Sequence, residues 1–494
     1  MKSLRNIFTF ILLAVAAAVG LSSCIEDAIS TSAADQPSFS TDTVRMGDLF
    51  TLDASPTHRF IVYNRHSKGI NISRIAFSDD PAGMFRINVD GMSGREFNNV
   101  EIRANDSIFV FVEATLAENG LEKAADVLAH IDFVTNGVTT RMPVKASGRD
   151  VTRLKGDVRY TADTELNAGK PYHVYDSLVV EQGITLTIGE GTELFFHDDA
   201  RIVVHGTLQV NGTPEKPVSM TGHRTGFVAA SIPYEIMSGQ WRGIEFTKTS
   251  KGNSITHATI RNSANGLTLD HAGSDDTATP ALTLVNSQVR NTKRYVVEAI
   301  HSNLLVAGCE LADASQGIVR LVGGTHTFNH CTIANYYLFT ALGGAAVQME
   351  HLNADDDIEN GADGSDNENE GDNERDVDLT LPYLTAEFSN CILYGNGTEL
   401  SHGDLNDTEV YIRRSLLKSA GEDDEHFISC LWDEDPLYYT ERENYIFDYR
   451  LRPDSPAAAA ANAELTLPVT ALDFYGTPRT APSLGAYEFV APEN

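Results

Sequence analysis

A five-residue phrase that returns at a near-constant interval constrains this chain more than any other feature. It reads Ala258-Thr259-Ile260-Arg261-Asn262, Ser287-Gln288-Val289-Arg290-Asn291, Cys309-Glu310-Leu311-Ala312-Asp313 and Cys331-Thr332-Ile333-Ala334-Asn335, and continues as Cys391-Ile392-Leu393-Tyr394-Gly395 and Ser415-Leu416-Leu417-Lys418-Ser419. The first residues are 29, 22, 22, 60 and 24 positions apart. A fixed period of this size marks a coil in which each turn stacks on the last. The 60-residue step is then one turn plus an insertion. In every phrase the first residue is small and the third aliphatic, and alternation along a strand sends both to one face. That face is expected to look into the coil, stacking small on small and aliphatic on aliphatic.

The same register reads the cysteines. Cys309, Cys331 and Cys391 share a slot with Ala258, Ser287 and Ser415, which makes them buried small hydrophobes. Adjacent rungs lie about 4.8 Å apart, so distance alone leaves a Cys309 to Cys331 disulfide open. Stacked side chains point in parallel, however, which suits a bridge poorly. Free thiols are therefore expected here and at Cys430, even in an oxidising compartment. The fifth position carries Asn262, Asn291, Asp313 and Asn335, side chains suited to bonding the backbone of a bend.

Upstream, residues 170–222 alternate strands of three to five residues with Gly183, Gly189, Gly191, Gly206 and Gly212. The phrases Gly206-Thr207-Leu208, Gly212-Thr213-Pro214, Lys216-Pro217-Val218 and Trp241-Arg242-Gly243-Ile244 resemble the first rungs of the pectin-lyase-like superfamily. The resemblance covers roughly residues 156–489 and implies a right-handed parallel β-helix. There the Asn positions would form a ladder of amides bonding one another. Leu451-Arg452-Pro453-Asp454-Ser455-Pro456-Ala457 and Gly485-Ala486-Tyr487-Glu488 resemble a closing phrase of bacterial β-helix proteins, which implies a segment over the open end of the coil.

Residues 37–150 have a different texture: about seven short alternating runs, among them Phe60-Ile61-Val62-Tyr63, Phe85-Arg86-Ile87-Asn88-Val89 and Ser107-Ile108-Phe109-Val110-Phe111-Val112. That spacing predicts a β-sandwich. The stretch from Phe85 to Ile108 resembles immunoglobulin-like modules of the ASPM/SPD-2/Hydin type, which implies a spacer or a binding module.

At the start of the chain, Lys2 and Arg5 precede the apolar run from Ile7 to Leu21, the pattern of a signal peptide. The run is shorter than the roughly 20 residues of a spanning helix. Leu21-Ser22-Ser23-Cys24 resembles a bacterial lipobox, which implies cleavage before Cys24 and lipidation of its thiol. The acidic pair Glu26-Asp27 resembles a surface-export signal of Gram-negative lipoproteins. The expected order is a signal peptide over 1–23, a tether over 24–36, a sandwich over 37–150, a parallel β-helix over 151–440 with an acidic disordered insertion at 354–378, and a capping segment over 441–494. The fold class is all-β. The expected location is the outer membrane, lipid-anchored and facing outward.

The formal net charge is −32, which argues against nucleic acid and anionic headgroups as partners. The partners expected are the membrane, through the anchor, and a polysaccharide or surface protein. The acidic tract from Asp355 to Asp378 could hold calcium weakly. EF-hand spacing fails there, because counting from Asp366 the twelfth position is Val377 where a bidentate Glu is needed. No cofactor, metal site or catalytic residue is assigned. Asp275-Asp276 reads as a polar turn, whereas hydrolysis would need paired carboxylates on neighbouring rungs. His257, His271, His301, His326 and His330 read as scattered, solvent-facing side chains, with His257 and His330 pointing outward on one flank. Four Asp-Ser/Thr triplets, at Asp42, Asp106, Asp176 and Asp276, match a loose acceptor pattern for O-glycosylation. Together these features favour a non-catalytic surface protein that binds a glycan or matrix ligand, against the alternative of a lyase or hydrolase acting on uronate-rich glycans.

Overall fold

The structure is a computed structural model that describes residues 28–80, 82–229, 232–274, 278–353 and 383–491. Cys24, Glu26-Asp27, Asp275-Asp276 and the acidic tract lie outside the described residues. Contacts divide the chain into two compact units, Met1–Asp150 and Val151–Asn494.

The first unit has two five-stranded sheets. One runs Ser38–Phe39, His58–Tyr63, Ser107–Ala114, Phe85–Val89, Met92–Gly94, and the other Val44–Phe50, Val138–Arg149, Ala125–Thr135, Ile70–Phe77, Glu96–Ile102. Pairing is antiparallel except where Val44–Phe50 runs parallel to Val138–Arg149. Alternation sorts each strand. In Ser107–Ala114, Ile108, Val110, Val112 and Ala114 turn inward and Phe109 turns out, toward a core that includes Phe60, Phe85 and Phe133. The stretch from Phe39 to Val44 is split between the two sheets. Glu96–Ile102 escapes a period-two reading because Asn99 takes φ 54° and shifts the alternation by one residue.

The second unit has three parallel sheets of 11, 9 and 10 strands. Each turn of chain gives one strand to each sheet: Tyr172–Val174, Ser177–Val180 and Thr185–Ile188 are followed by Glu193–Phe196, Arg201–Val204 and Thr207–Asn211, which pair with them in the same order. This arrangement fits a parallel β-helix. The recurring phrases are consecutive strands of the 11-stranded sheet, in the register Thr259, Gln288, Glu310, Thr332, Ile392, Leu416. Their first and third residues are all buried. Rungs pass so close that a Cβ at Gly206 would collide with the carbonyl oxygens of Ile184 and Glu181.

The residue just before each phrase turns the chain by itself. His257, Asn286, Gly308, His330, Asn390 and Arg414 all have φ between 43° and 66°, the left-handed region that Gly, Asn and His tolerate best. The first residue of the phrase then closes the bend. The hydroxyls of Ser287 and Ser415 and the thiols of Cys309, Cys331 and Cys391 donate to the carbonyl two residues back, at 2.8, 3.0, 3.2, 3.4 and 3.4 Å. The thiols are free. They do more than fill space, and burial pushes those of Cys309 and Cys391 well up.

A second corner repeats the device at His271, His301, Gly323 and His351 (φ 56°, 45°, 58° and 60°), and a third at Asn262, Asn291 and Asp313. Two of these amides bond backbone: Asn335 Nδ2 donates to the Ala314 carbonyl of the previous turn at 2.9 Å, and Asn262 Nδ2 to the Glu235 carbonyl at 2.7 Å.

These corners correct the histidine reading. His257, His301, His326 and His330 are buried, and only His271 keeps a part-exposed ring, beside Asp270 at 2.7 Å. His257 and His330 do not point to solvent, because their slot is a backbone corner covered by the closing segment. His257 lies 6.1 Å from Phe474 between ring centroids.

The closing segment also departs from expectation. Tyr438, Tyr449, Leu451, Phe474, Leu484 and Tyr487 pack on Ala312, Ala334, Ile392 and Leu416, second and fourth residues of the phrase that face outward. The segment therefore covers the side of the first sheet. It does so because those outer positions turn apolar from Ala312 onward. At the last rung, Phe427 and Trp432 lie 5.1 Å apart and the Trp432 indole donates to Asp423 at 3.2 Å.

Inside the coil Phe328 and Phe388, paired in register, stack at 4.6 Å and 7°. Phe328→Ala should cost about 3–5 kcal/mol in denaturant unfolding, and Thr327→Ala on the outer side of the same strand under about 0.5 kcal/mol. Equal costs would contradict the inward register.

Candidate functional site

Three excursions from the coil meet on one side of the second unit. The first, residues 223–240, includes a short hairpin of Phe227–Ala229 and Ile232–Pro233. The second follows Asn335 as Tyr336-Tyr337-Leu338-Phe339, and the third is residues 433–452 of the closing segment. Ser238 and Tyr337 hold the first two together through their hydroxyls at 2.8 Å. Between them lies a groove of about 880 Å³, lined by Ile232, Tyr336, Phe339, Asp435, Arg442, Tyr445 and Arg452 among others.

The groove floor is aromatic. Tyr336 lies 6.5 Å from Tyr438 and 6.0 Å from Tyr449 between ring centroids. Burial, then the neighbouring Tyr394 and Asp435, push the Tyr336 phenol well above its ordinary range, so it stays a neutral hydrogen-bonding group. On the wall, Arg452 sits over the Tyr439 ring at 5.5 Å. Tyr445 takes φ 58° at the end of the Arg442–Asn444 turn. The lining carboxylates Asp435, Glu441 and Glu443 all come from one segment.

A buried polar network fastens that wall to the coil. Tyr449 donates its hydroxyl proton to Asp313 Oδ1 at 2.7 Å, and the Tyr336 backbone N–H donates to the same oxygen at 3.0 Å. Arg290 donates to Glu310 at 3.2 Å and to the Phe447 carbonyl at 3.0 Å, and Glu310 also accepts from Tyr487. Burial pushes Asp313 up to about 6, against the pull of Tyr449 and Arg290. Farther along, His330 Nδ1 lies 3.1 Å from the Ser483 carbonyl, with Thr466 Oγ1 at 2.9 Å and Asn390 Nδ2 at 3.1 Å from Nε2. The carbonyl requires a proton on Nδ1, and the amide donor requires an unprotonated Nε2. Burial first, then the Arg479 charge, hold His330 down to about 3.

None of the histidines singled out from sequence lines this groove. Its aromatics went unread, although the run Tyr336-Tyr337-Leu338-Phe339, directly after a rung ends at Asn335, was a visible break in the period. A ladder of stacked rings, Tyr175, His197 and His223 at 4.2 and 3.9 Å, was also missed. Among the described residues no three His, Cys, Asp or Glu side chains gather as a metal ion would need.

No family model matches the chain, and no curated protein matches it. Among solved structures, one similar chain is a family 123 glycoside hydrolase from Clostridium perfringens, described for glycolipid glycan hydrolysis. It is 8% identical over 22% of this chain and 23% of that one, with a TM-score of 0.17. The match thus spans under a quarter of that structure, and so slight a likeness carries no argument.

Chemically, the groove offers rings for apolar sugar faces and guanidinium, carboxylate and hydroxyl groups for sugar hydroxyls, a concavity in which charged and polar groups alternate with aromatic ones. Its wall depends on docking of the closing segment, and docking depends on pH. A base with a depressed pKa supports the fold above its unfolded value near 6.5 and withdraws support as pH falls. For Asp313 the sign is opposite: a raised acid favours docking below about 4 and less as pH climbs through 6. His330→Asn keeps a residue suited to the left-handed corner and removes the first contribution. The fall in Tm between about pH 6.5 and 4.5 should be shallower in this variant. An unchanged slope would show that His330 does not govern the acid limb.

Proposed function

We propose that this protein is a lipid-anchored outer-membrane protein that binds glycans at the cell surface without turning them over. The observation that carries the reading is the groove, in which Tyr336, Phe339 and Tyr445 meet Arg442, Arg452 and Asp435 in a concavity of oligosaccharide size. The anchor rests on Leu21-Ser22-Ser23-Cys24 and the outward location on Glu26-Asp27. In this reading the coil is a right-handed parallel β-helix that displays the groove, and the first unit is an immunoglobulin-like sandwich. The polar, mixed-charge groove favours a saccharide over a purely apolar ligand, and a net charge of −32 disfavours nucleic acid.

A glycan array probed with the full chain lacking its lipid should identify a ligand. Tyr445→Ala and Arg452→Ala, both at exposed or half-buried positions, should each weaken it at least tenfold in calorimetry with unchanged circular dichroism. Binding indifferent to both would move the site elsewhere, and release of reducing ends or unsaturated products from the bound glycan would overturn the non-catalytic reading.

Orientation is a separate question. Protease added to intact cells should cut the protein, whereas complete protection until the outer membrane is opened would place it facing the periplasm.

A further inference from the structure

We infer that Thr43, Ser107 and Ser177 are modification sites, each carrying an O-linked saccharide on its side-chain hydroxyl in the exported protein. The inference rests on the export reading given above and not on the groove. Asp-Ser or Asp-Thr steps occur seven times in the chain. After those at Asp42, Asp106, Asp176 and Asp276 comes Val44, Ile108, Leu178 or Ala278, whereas after those at Asp163, Asp407 and Asp454 comes Glu165, Glu409 or Pro456. Thr277 lies outside the described residues, so three triplets of the first kind stand against three of the second.

The first three share one setting. Each Asp is exposed just before a strand, each hydroxyl residue is half-buried, and Val44, Ile108 and Leu178 are buried. The strands are Val44–Phe50, Ser107–Ala114 and Ser177–Val180, so the hydroxyl stands at or beside the first strand position. An aliphatic residue drawn into the core sends its predecessor to the outer face, and Ser177 accordingly pairs in register with Arg201 on the outside of the coil. A Ser or Thr at such a junction can bond the local backbone itself. Here a carboxylate does so: Asp106 Oδ1 accepts from the Ser107 N–H and Asp176 Oδ2 from the Gly156 N–H, both at 2.7 Å. The hydroxyls of Thr43, Ser107 and Ser177 have no hydrogen-bond partner among the described residues, and their oxygens reach solvent.

The other three hydroxyls are engaged. Thr164 donates to the Ala162 carbonyl at 2.8 Å, Thr408 to that of Leu405 at 2.7 Å and Ser455 to that of Pro436 at 2.6 Å. Thr408 and Ser455 are buried, and Thr164 sits in register with the inward-facing Leu186. The third residue thus sorts free hydroxyls from engaged ones.

A free hydroxyl is a nucleophile once a base takes its proton. The step is glycosyl transfer: the hydroxyl oxygen bonds the anomeric carbon of a sugar held as a diphosphate, the bond from that carbon to the phosphate oxygen breaks, the diphosphate leaves with the electron pair, and the proton passes to a base on a separate transferase. The adjoining carboxylate selects the group. A phosphoryl group beside Asp would be repelled and an acyl chain would lie in water, whereas a neutral saccharide is hydrated and suited to the surface.

Peptide mapping of the full chain, purified from the bacterium that makes it, by mass spectrometry with fragmentation that assigns added mass to a residue tests this. Thr43, Ser107 and Ser177 should each carry saccharide mass, and Thr164, Thr408 and Ser455 none. Ser107→Ala and Ser177→Ala should each remove the mass from that position with circular dichroism and Tm unchanged. Ser107→Thr should retain it, and Asp106→Ala should lose it although the Ser107 hydroxyl remains. Bare hydroxyls at all three positions, a phosphoryl or acyl mass in place of sugar, or saccharide on Thr164, Thr408 or Ser455 would overturn the inference. The same map reads Cys24: a lipid there with bare hydroxyls removes glycosylation alone, and an unlipidated Cys24 with sugar-bearing hydroxyls removes the anchor alone.

Discussion

Everything in the second unit depends on turning the chain with a single residue. Strands of four or five residues separated by one left-handed residue leave no room for a conventional turn, and a side chain in that conformation costs of order 1 kcal/mol. The structure offsets this cost locally: at Asn286, Gly308, His330, Asn390 and Arg414 the next residue is a Ser or Cys whose hydroxyl or thiol bonds the carbonyl on the far side of the corner. Asn, His and Gly occupy most of these corners because they carry the smallest penalty there. Once the corners are fixed, every strand enters its sheet in the same register, and the aliphatic ladder follows.

That geometry decides where other chain can attach. First and third residues of each phrase are consumed by the interior, so between the corners a covering segment packs on the second and fourth. Early rungs present Thr259, Arg261 and Arg290 there, and later ones Ala312, Ala334, Ile392 and Leu416. The closing segment adheres where the outer face is apolar and meets the remaining charges with partners of its own, Tyr487 for Glu310 and Tyr449 for Asp313. The groove exists because this adhesion leaves residues 435–452 standing beside the Tyr336 excursion.

Periodicity made the parallel stack legible in the sequence, because small and aliphatic residues that recur at one fixed spacing suit little besides a coil of stacked turns. The same spacing exposed the His257 and His330 offset but misread it, since a left-handed backbone has no signature beyond a tolerance for His, Asn and Gly that a functional histidine would share. The placement of the closing segment was available in the outer residues of the phrase and went unread behind the resemblance to an end cap. The groove could not be read in full: its walls come from segments about a hundred residues apart, brought together by contacts such as Ser238 with Tyr337. Within the first unit, the left-handed residue Asn99 hid one strand for a similar reason, since it erases the alternation that strand prediction uses.

The groove wall is a docked segment whose attachment includes a buried imidazole that must stay neutral and a buried carboxyl poised near 6, so its integrity is tied to proton concentration in two opposing senses.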